Sequence, residues 1–286
     1  MRVVYLMGAG RSGTTLLATL LGNSEHIVTL GEMHQFLDYM LDSNPCSCGQ
    51  QLSDCVFWKP VLARLQTSYS AEELQAINKA NKKVEKHRNI LGSLMFSNRK
   101  YQAFQQQLFK HIQEAHSSPF YLDSAKYISR GAQLAKTPGI DIKIVYMVRD
   151  VRGLIHSFGK NVQTSKSPIS TLFYYTMINS FGLIAQGVMG KKKVLRLRYE
   201  SLVENPQGSL QKMGAFFGTN LDHVHSKLKE GQPFDMPHII AGNRMKTQKT
   251  IRLKPDFAWK KSQSRPTQIL YYLLTLPLQL IFKYRI

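Results

Sequence analysis

Glycines at positions 8, 10 and 13 frame Arg11 and Ser12 in the run GAGRSGTT, between a strand-like VVYLM and a helical LLATLL. Glycine lets the backbone turn tightly enough for successive N–H groups to converge on one oxyanion. The helix start adds unpaired N–H groups and the positive end of its dipole. This is chemistry for holding a phosphate or a sulfate. Gly8 and Gly13 stand at the spacing of a nucleoside-triphosphate loop, yet Thr14 and Thr15 follow where such a loop carries Lys and Ser/Thr. Arg11 supplies the cation instead, as a planar fork able to grip an oxyanion through two bonds. The apolar run Ile142–Val148 leads into Arg149-Asp150, cation first, where Mg²⁺-dependent triphosphate chemistry expects an acidic strand end. Gly10, Arg11, Ser12, Gly13, Thr14 and Thr15 are the expected anion cradle.

Such a cradle must be held by strands and helices, and the chain supplies them in alternation. Apolar strand-like runs occur at Val3–Met7, His26–Leu30, Pro119–Leu122, Ile142–Val148 and Val194–Leu197, with helical stretches between most of them. The pattern predicts an α/β fold, a mostly parallel central sheet with helices on both faces. Residues 54–117 carry helical periodicity and no clear strand, and read as a helical insertion after the second strand. Its basic clusters (Lys82, Lys83, Lys86, Arg88; Arg99, Lys100) read as a solvated face or, alternatively, as groups facing an acceptor. With no internal repeat or low-complexity linker, residues 1–286 are expected to form one domain, closed by a loop and helix over roughly 232–286. Asn205-Pro206 should open a helix that ends near Phe217-Gly218.

The ordered motifs resemble those of the sulfotransferases that use 3′-phosphoadenosine 5′-phosphosulfate (PAPS). Their 5′-phosphosulfate loop is similar to GAGRSGTTLL, and their 3′-phosphate site to MVRDVRGLIHS, which places Arg149 and Ser157. The physics agrees, because an Arg at a strand's carboxyl end and a hydroxyl two helical turns on can meet in the crevice of an α/β sheet. LRLRYESLVENPQGSLQKMGAFFG, GNRMK and the stretch Ile251–Trp259 continue the resemblance, so most of the chain outside the insertion is covered. The resemblance implies in-line sulfuryl transfer from PAPS to a hydroxyl, leaving the 3′,5′-bisphosphate PAP. It makes Tyr199, Asn243 and Arg244 adenine or phosphate contacts. It also implies a general base, for which Glu32, the early Glu of the tyrosylprotein type, and His34 both stand as candidates lining the acceptor side. Lys126, in YLDSAKYISR, resembles the lysine that neutralises the leaving group. With Arg11 and Lys126 in that role, no metal is expected in the reaction.

The chain has 286 residues with 38 Lys+Arg against 18 Asp+Glu, a net +20 that favours anionic partners. A P-loop kinase or nucleotidase and a basic nucleic-acid-binding protein are the competing readings. The absent loop Lys argues against the first, and the lack of a helix-turn-helix or RNP-like signature against the second. The expected acceptor is a small molecule, carbohydrate or lipid head group. The segment before Val3 has no targeting character, so a cytoplasmic location is expected. Thr267 to Phe282 reads as a docked C-terminal helix or as a contact with a membrane surface. Cys46, Cys48 and Cys55 read as a metal-free loop; a zinc shell needs a fourth ligand, for which His34 is the candidate.

Overall fold

The structure, a computed structural model, describes residues 1–160, 165–242 and 244–286. Five parallel strands, β1 (Arg2–Gly8), β2 (Ile27–Gly31), β3 (Phe120–Lys126), β4 (Asp141–Val148) and β5 (Val194–Arg198), form a sheet in the order β2-β3-β1-β4-β5. The predicted α/β class and all five strands are present. Side chains alternate across a strand. Val3, Tyr5 and Met7 therefore join one apolar layer, with Trp58, Phe104, Phe109 and Tyr175, while Val4 and Leu6 join another with Leu17, Leu20, Met213 and Phe217. Both faces of β1 are dry, which is why it reads as an unbroken apolar run.

Connections from β1 pass to the β2/β3 side of the sheet, whereas β4 leads on to β5. The carboxyl ends of the neighbours β1 and β4 thus border the crevice where an open α/β sheet binds ligands. Between β2 and β3 the segment is helical, with helices Lys59–Ser68, Ala71–Glu85, Ile90–Met95 and Arg99–Ala115. Lys82, Lys83, Lys86, Arg88, Arg99 and Lys100 are all exposed on it. Buried Arg130 fastens these helices to the sheet, donating to Asp123 Oδ2 at 2.7 Å and to Glu85 Oε1 at 2.9 Å. Desolvation pushes both carboxyls up in pKa, and the guanidinium opposes it.

The helix Pro206–Phe217 is capped by the Asn205 side chain and stopped by Gly218 at φ 71°, as expected. The C-terminal segment departs from expectation. Thr267 to Phe282 is two helices, Arg265–Leu274 and Leu276–Ile281. Pro277 has no N–H and its ring collides with the carbonyl four residues back, so one helix cannot run through it. The preceding segment is more ordered than its irregular composition predicts. Ile240 pairs with Gly31 beside the sheet, and β6 (Phe234–Asp235) pairs with β7 (Thr250–Ile251). Among the described residues no helix is long and apolar enough to cross a membrane.

Candidate active site

The glycine loop joins β1 to the helix Thr14–Leu21 through strained backbone. Gly8 has φ 146°, and a Cβ there would lie 2.3 Å from Met147 O; at Gly13, φ 90°, it would lie 2.6 Å from the Tyr199 ring. Only glycine fits at either point. Arg11 itself has φ 69°, a left-handed conformation that costs a non-glycine residue about 1–2 kcal/mol. Alternating conformations of this kind turn consecutive N–H groups inward. Gly13 caps the following helix and, being glycine, offers no side chain to its first turn. Ser12, Thr14 and Thr15 are buried around that helix start.

Arg149 and Ser157 converge on this loop. Arg11 Nε donates to Ser157 Oγ at 3.0 Å, and Arg149 donates to the Arg11 carbonyl at 3.0 Å while its guanidinium lies 4.2 Å over the Tyr199 ring. Arg149 and Ser157 are 5% and 4% exposed, so both spend their polar atoms within this cluster. Tyr199 OH accepts from Asp256 N at 3.1 Å, and Asp256 Oδ2 accepts from Arg149 at 3.3 Å and from Lys160 Nζ at 3.1 Å. Burial works to raise the Asp256 pKa, but the Lys160 ammonium and the Arg149 guanidinium outweigh it and the net shift is down. Asn243 lies outside the described residues, as does the Arg244 side chain, although the turn Arg244–Thr247 closes the segment in which they sit.

Glu32 and Lys126 are brought together from strand ends far apart in sequence, and the pair is hydrogen-bonded. Two irregularities in the sheet aim them. The register of β1 on β3 slips between Tyr5 and Met7, and that of β2 on β3 slips between Thr29 and Gly31. Asp123 Oδ1 accepts from Ala125 N at 2.9 Å and holds the first slip, after which Lys126 turns to φ 73°. Bulges of this kind re-aim side chains beside active sites. Glu32 is buried, and its N–H donates to Ile240 O at 2.8 Å. His34 packs on Tyr127, with ring centroids 4.6 Å apart, and its Nδ1 is buried with no hydrogen-bond partner among the described residues. Burial, then the Lys126 charge, lowers its pKa to about 3.

Several residues at the site carry no sequence signal. Tyr174, from the helix Pro168–Met189, accepts the Gly10 N–H at 2.9 Å. Asp256 sits within the stretch expected to close over the nucleotide, but its ion pairs could not be read from it. Lys160 follows the helix that carries Ser157, and nothing in its neighbourhood marks it.

A glycine loop, a helix N-terminus and two arginines meeting at the switch point of a parallel sheet define an α/β protein built to hold an anionic, phosphorylated ligand. The family model described as the Sulfotransferase family matches residues 4–223, more than half of the chain, and the protein belongs to that family. It is a transferase of sulfuryl groups. Three solved structures share the fold. The chain superposes on the sulfotransferase domain from the curacin biosynthetic pathway with TM-score 0.55 and 17% identity, covering 99% of this chain and 98% of that one. For the sulfotransferase domain from the Synechococcus PCC 7002 olefin synthase the values are 0.52 and 15%, covering 100% and 96%. For a sulfotransferase from Mycobacterium avium they are 0.55 and 11%, covering 100% and 78%. No curated protein sequence matches the chain significantly.

Proposed function

We infer that the protein transfers the sulfuryl group of PAPS to the hydroxyl of a small acceptor. The observation that carries this reading is the convergence of Arg149 and Ser157 on the Arg11 loop. One part of the cluster faces the helix start, suited to the 5′-phosphosulfate. The other suits a second phosphate on the ribose. In this reading Gly10 to Thr15 and Arg11 bind the 5′-phosphosulfate, Arg149 and Ser157 bind the 3′-phosphate, and Tyr199 flanks the nucleotide together with Asn243 and Arg244.

During transfer the acceptor oxygen forms a bond to sulfur as the bond from sulfur to the 5′-phosphate oxygen breaks. Glu32 takes the acceptor proton, and PAP leaves with its charge met by Lys126 and Arg11. The hydrogen-bonded Glu32–Lys126 pair sets base and leaving-group cation side by side. His34 is the weaker candidate for base, because its ring packs on Tyr127 while Glu32 makes the pair with Lys126. In this scheme cationic side chains do the work of Mg²⁺, so turnover persists when divalent ions are chelated during the assay.

The acceptor belongs to the small molecules, carbohydrates or lipid head groups, with acidic ones favoured by the basic chain; nucleic acid is not a partner in this reading. A cytoplasmic setting fits three cysteines with no disulfide between them. Peripheral membrane contact through the C-terminal helices fits exposed Leu270, Leu273, Leu274 and Leu280. The test is PAP release from PAPS over a panel of hydroxylated acceptors, with ATP and Mg²⁺ in parallel. Acceptor-dependent PAP release is expected. ATP turnover without PAPS turnover would overturn the reading.

A further inference from the structure

Cys46, Cys48 and Cys55, expected from their count and spacing to form a metal-free loop, have a fourth potential ligand beside them. The structure brings His238, nearly two hundred residues away in sequence, to them, and the three Sγ atoms and His238 Nδ1 all lie within 4.8 Å of one another. His34, the sequence candidate for a fourth ligand, packs on Tyr127 instead. The geometry points to a structural zinc site with a Cys₃His shell, separate from the sulfuryl-transfer centre.

The distances suit one ion. Zinc bound tetrahedrally to sulfur at about 2.3 Å and to nitrogen at about 2.0–2.1 Å sets ligand edges of about 3.8 Å for S···S and about 3.5 Å for S···N. Cys48 Sγ to Cys55 Sγ is 3.8 Å, Cys46 Sγ to His238 Nδ1 is 3.8 Å, and Cys55 Sγ to His238 Nδ1 is 3.2 Å. Three sulfurs and one imidazole in this arrangement select zinc among the common divalent ions. A disulfide between Cys48 and Cys55 would need the sulfurs to close to about 2.05 Å and would leave Cys46 and His238 beside it without a role.

The backbone is folded to present the ligands. Gly49, at φ 88°, follows Cys48; Gly49 N donates to Cys46 O and Cys46 N to Gln50 O, both at 2.9 Å, which closes a tight knuckle. Ser47, between the first two cysteines, clasps the segment that carries the histidine. Its Oγ donates to Pro237 O at 2.6 Å and accepts from Ile239 N at 2.9 Å, and its N–H donates to Ile239 O at 3.2 Å. Residues on both sides of His238 are thereby fixed against the cysteine loop. Four protein ligands leave no open position, so the ion's role is to brace the fold. What it braces is specific. Ile240, two residues after His238, donates to Leu30 O at 3.0 Å and accepts the Glu32 N–H at 2.8 Å. The site clips the C-terminal segment to the end of β2, next to Glu32.

The test is metal content and cobalt spectroscopy on the full chain. Protein purified under reducing conditions should carry about one zinc per chain by inductively coupled plasma mass spectrometry. Cobalt(II) added to stripped protein should give thiolate-to-cobalt charge-transfer bands and the d–d bands of a tetrahedral ion. His238→Ala should lose the zinc, and so should Cys48→Ser, whose exposed side chain makes it the safer variant for folding, with circular dichroism as the check. Loss of metal should also lower Tm. Two results would overturn the site: wild-type chain that neither carries zinc nor gives the cobalt bands, or a Cys48–Cys55 disulfide in the native protein by mass spectrometry.

Discussion

The proposed donor side and acceptor side of the site are built in different ways. The donor side is local: the loop Gly8 to Gly13 follows one strand, and Arg149 with Ser157 follows its neighbour, so two strand–loop–helix units make nearly all of it. The acceptor side is assembled at long range. Glu32 meets Lys126 only because two slips in strand register turn both inward, and Glu32 is further braced by Ile240. The difference teaches that an anion cradle needs little more than backbone and an arginine, whereas placing a carboxylate beside a lysine needs the whole sheet edge and the C-terminal segment. Changes on the two sides should therefore fail differently.

The largest effect is expected on the acceptor side. Glu32→Gln keeps the side-chain size and removes the proton acceptor, so turnover at saturating PAPS should fall about 10²–10⁴-fold with PAP affinity held. Near-normal turnover would move the base to another residue. On the donor side, Arg149→Ala removes a charge-assisted contact and should weaken PAP by roughly 1.5–3 kcal/mol, about one to two decades, measured by calorimetry. A drop in turnover at saturating PAPS with unchanged PAP affinity would erase the contrast.

Smaller effects sharpen it. Asp256 occupies Arg149 and Lys160 in the free protein, and a 3′-phosphate must compete with it. Asp256→Asn should bind PAP about two- to fivefold more tightly, the usual worth of a partly exposed ion pair. Weaker binding would make Asp256 a ligand contact instead. His34 gives a pH signature. Its folded pKa, about 3, lies below the ordinary 6.5, so below pH 6.5 the unfolded chain takes up a proton that the folded chain refuses. Stability from this group is full above pH 6.5 and is lost as pH falls toward 3, by at most about 1.4 kcal/mol per pH unit. Urea unfolding of wild type and His34→Asn between pH 7 and 4 should show a shallower decline in the variant, and equal slopes would contradict the burial argument.

The same contrast governs what the sequence reveals. The central strand β1 is buried on both faces, so the run Val3–Met7 is legible nearly to the residue, and the glycines of the loop advertise its turns. Pro277 was equally legible as a helix break, and a single helix over Thr267 to Phe282 disregarded it. Glu32 and Lys126 were found through resemblance, since neither bulge leaves a periodic mark. Tyr174 on Gly10, Asp256 on Arg149 and His238 on Cys55 are separated by 164, 107 and 183 residues. No local pattern joins such pairs; only the folded topology does.

The most direct test of the donor site is the thermal shift of the wild-type chain with PAP, AMP and ATP at equal concentration. A ligand that binds only the folded state raises Tm more the tighter it binds, with the logarithm of its affinity. If Arg149 and Ser157 receive a 3′-phosphate, PAP should stabilise the protein far more than AMP or ATP, neither of which carries one. Equal stabilisation by ATP would contradict a PAPS site and return the loop to nucleoside-triphosphate chemistry.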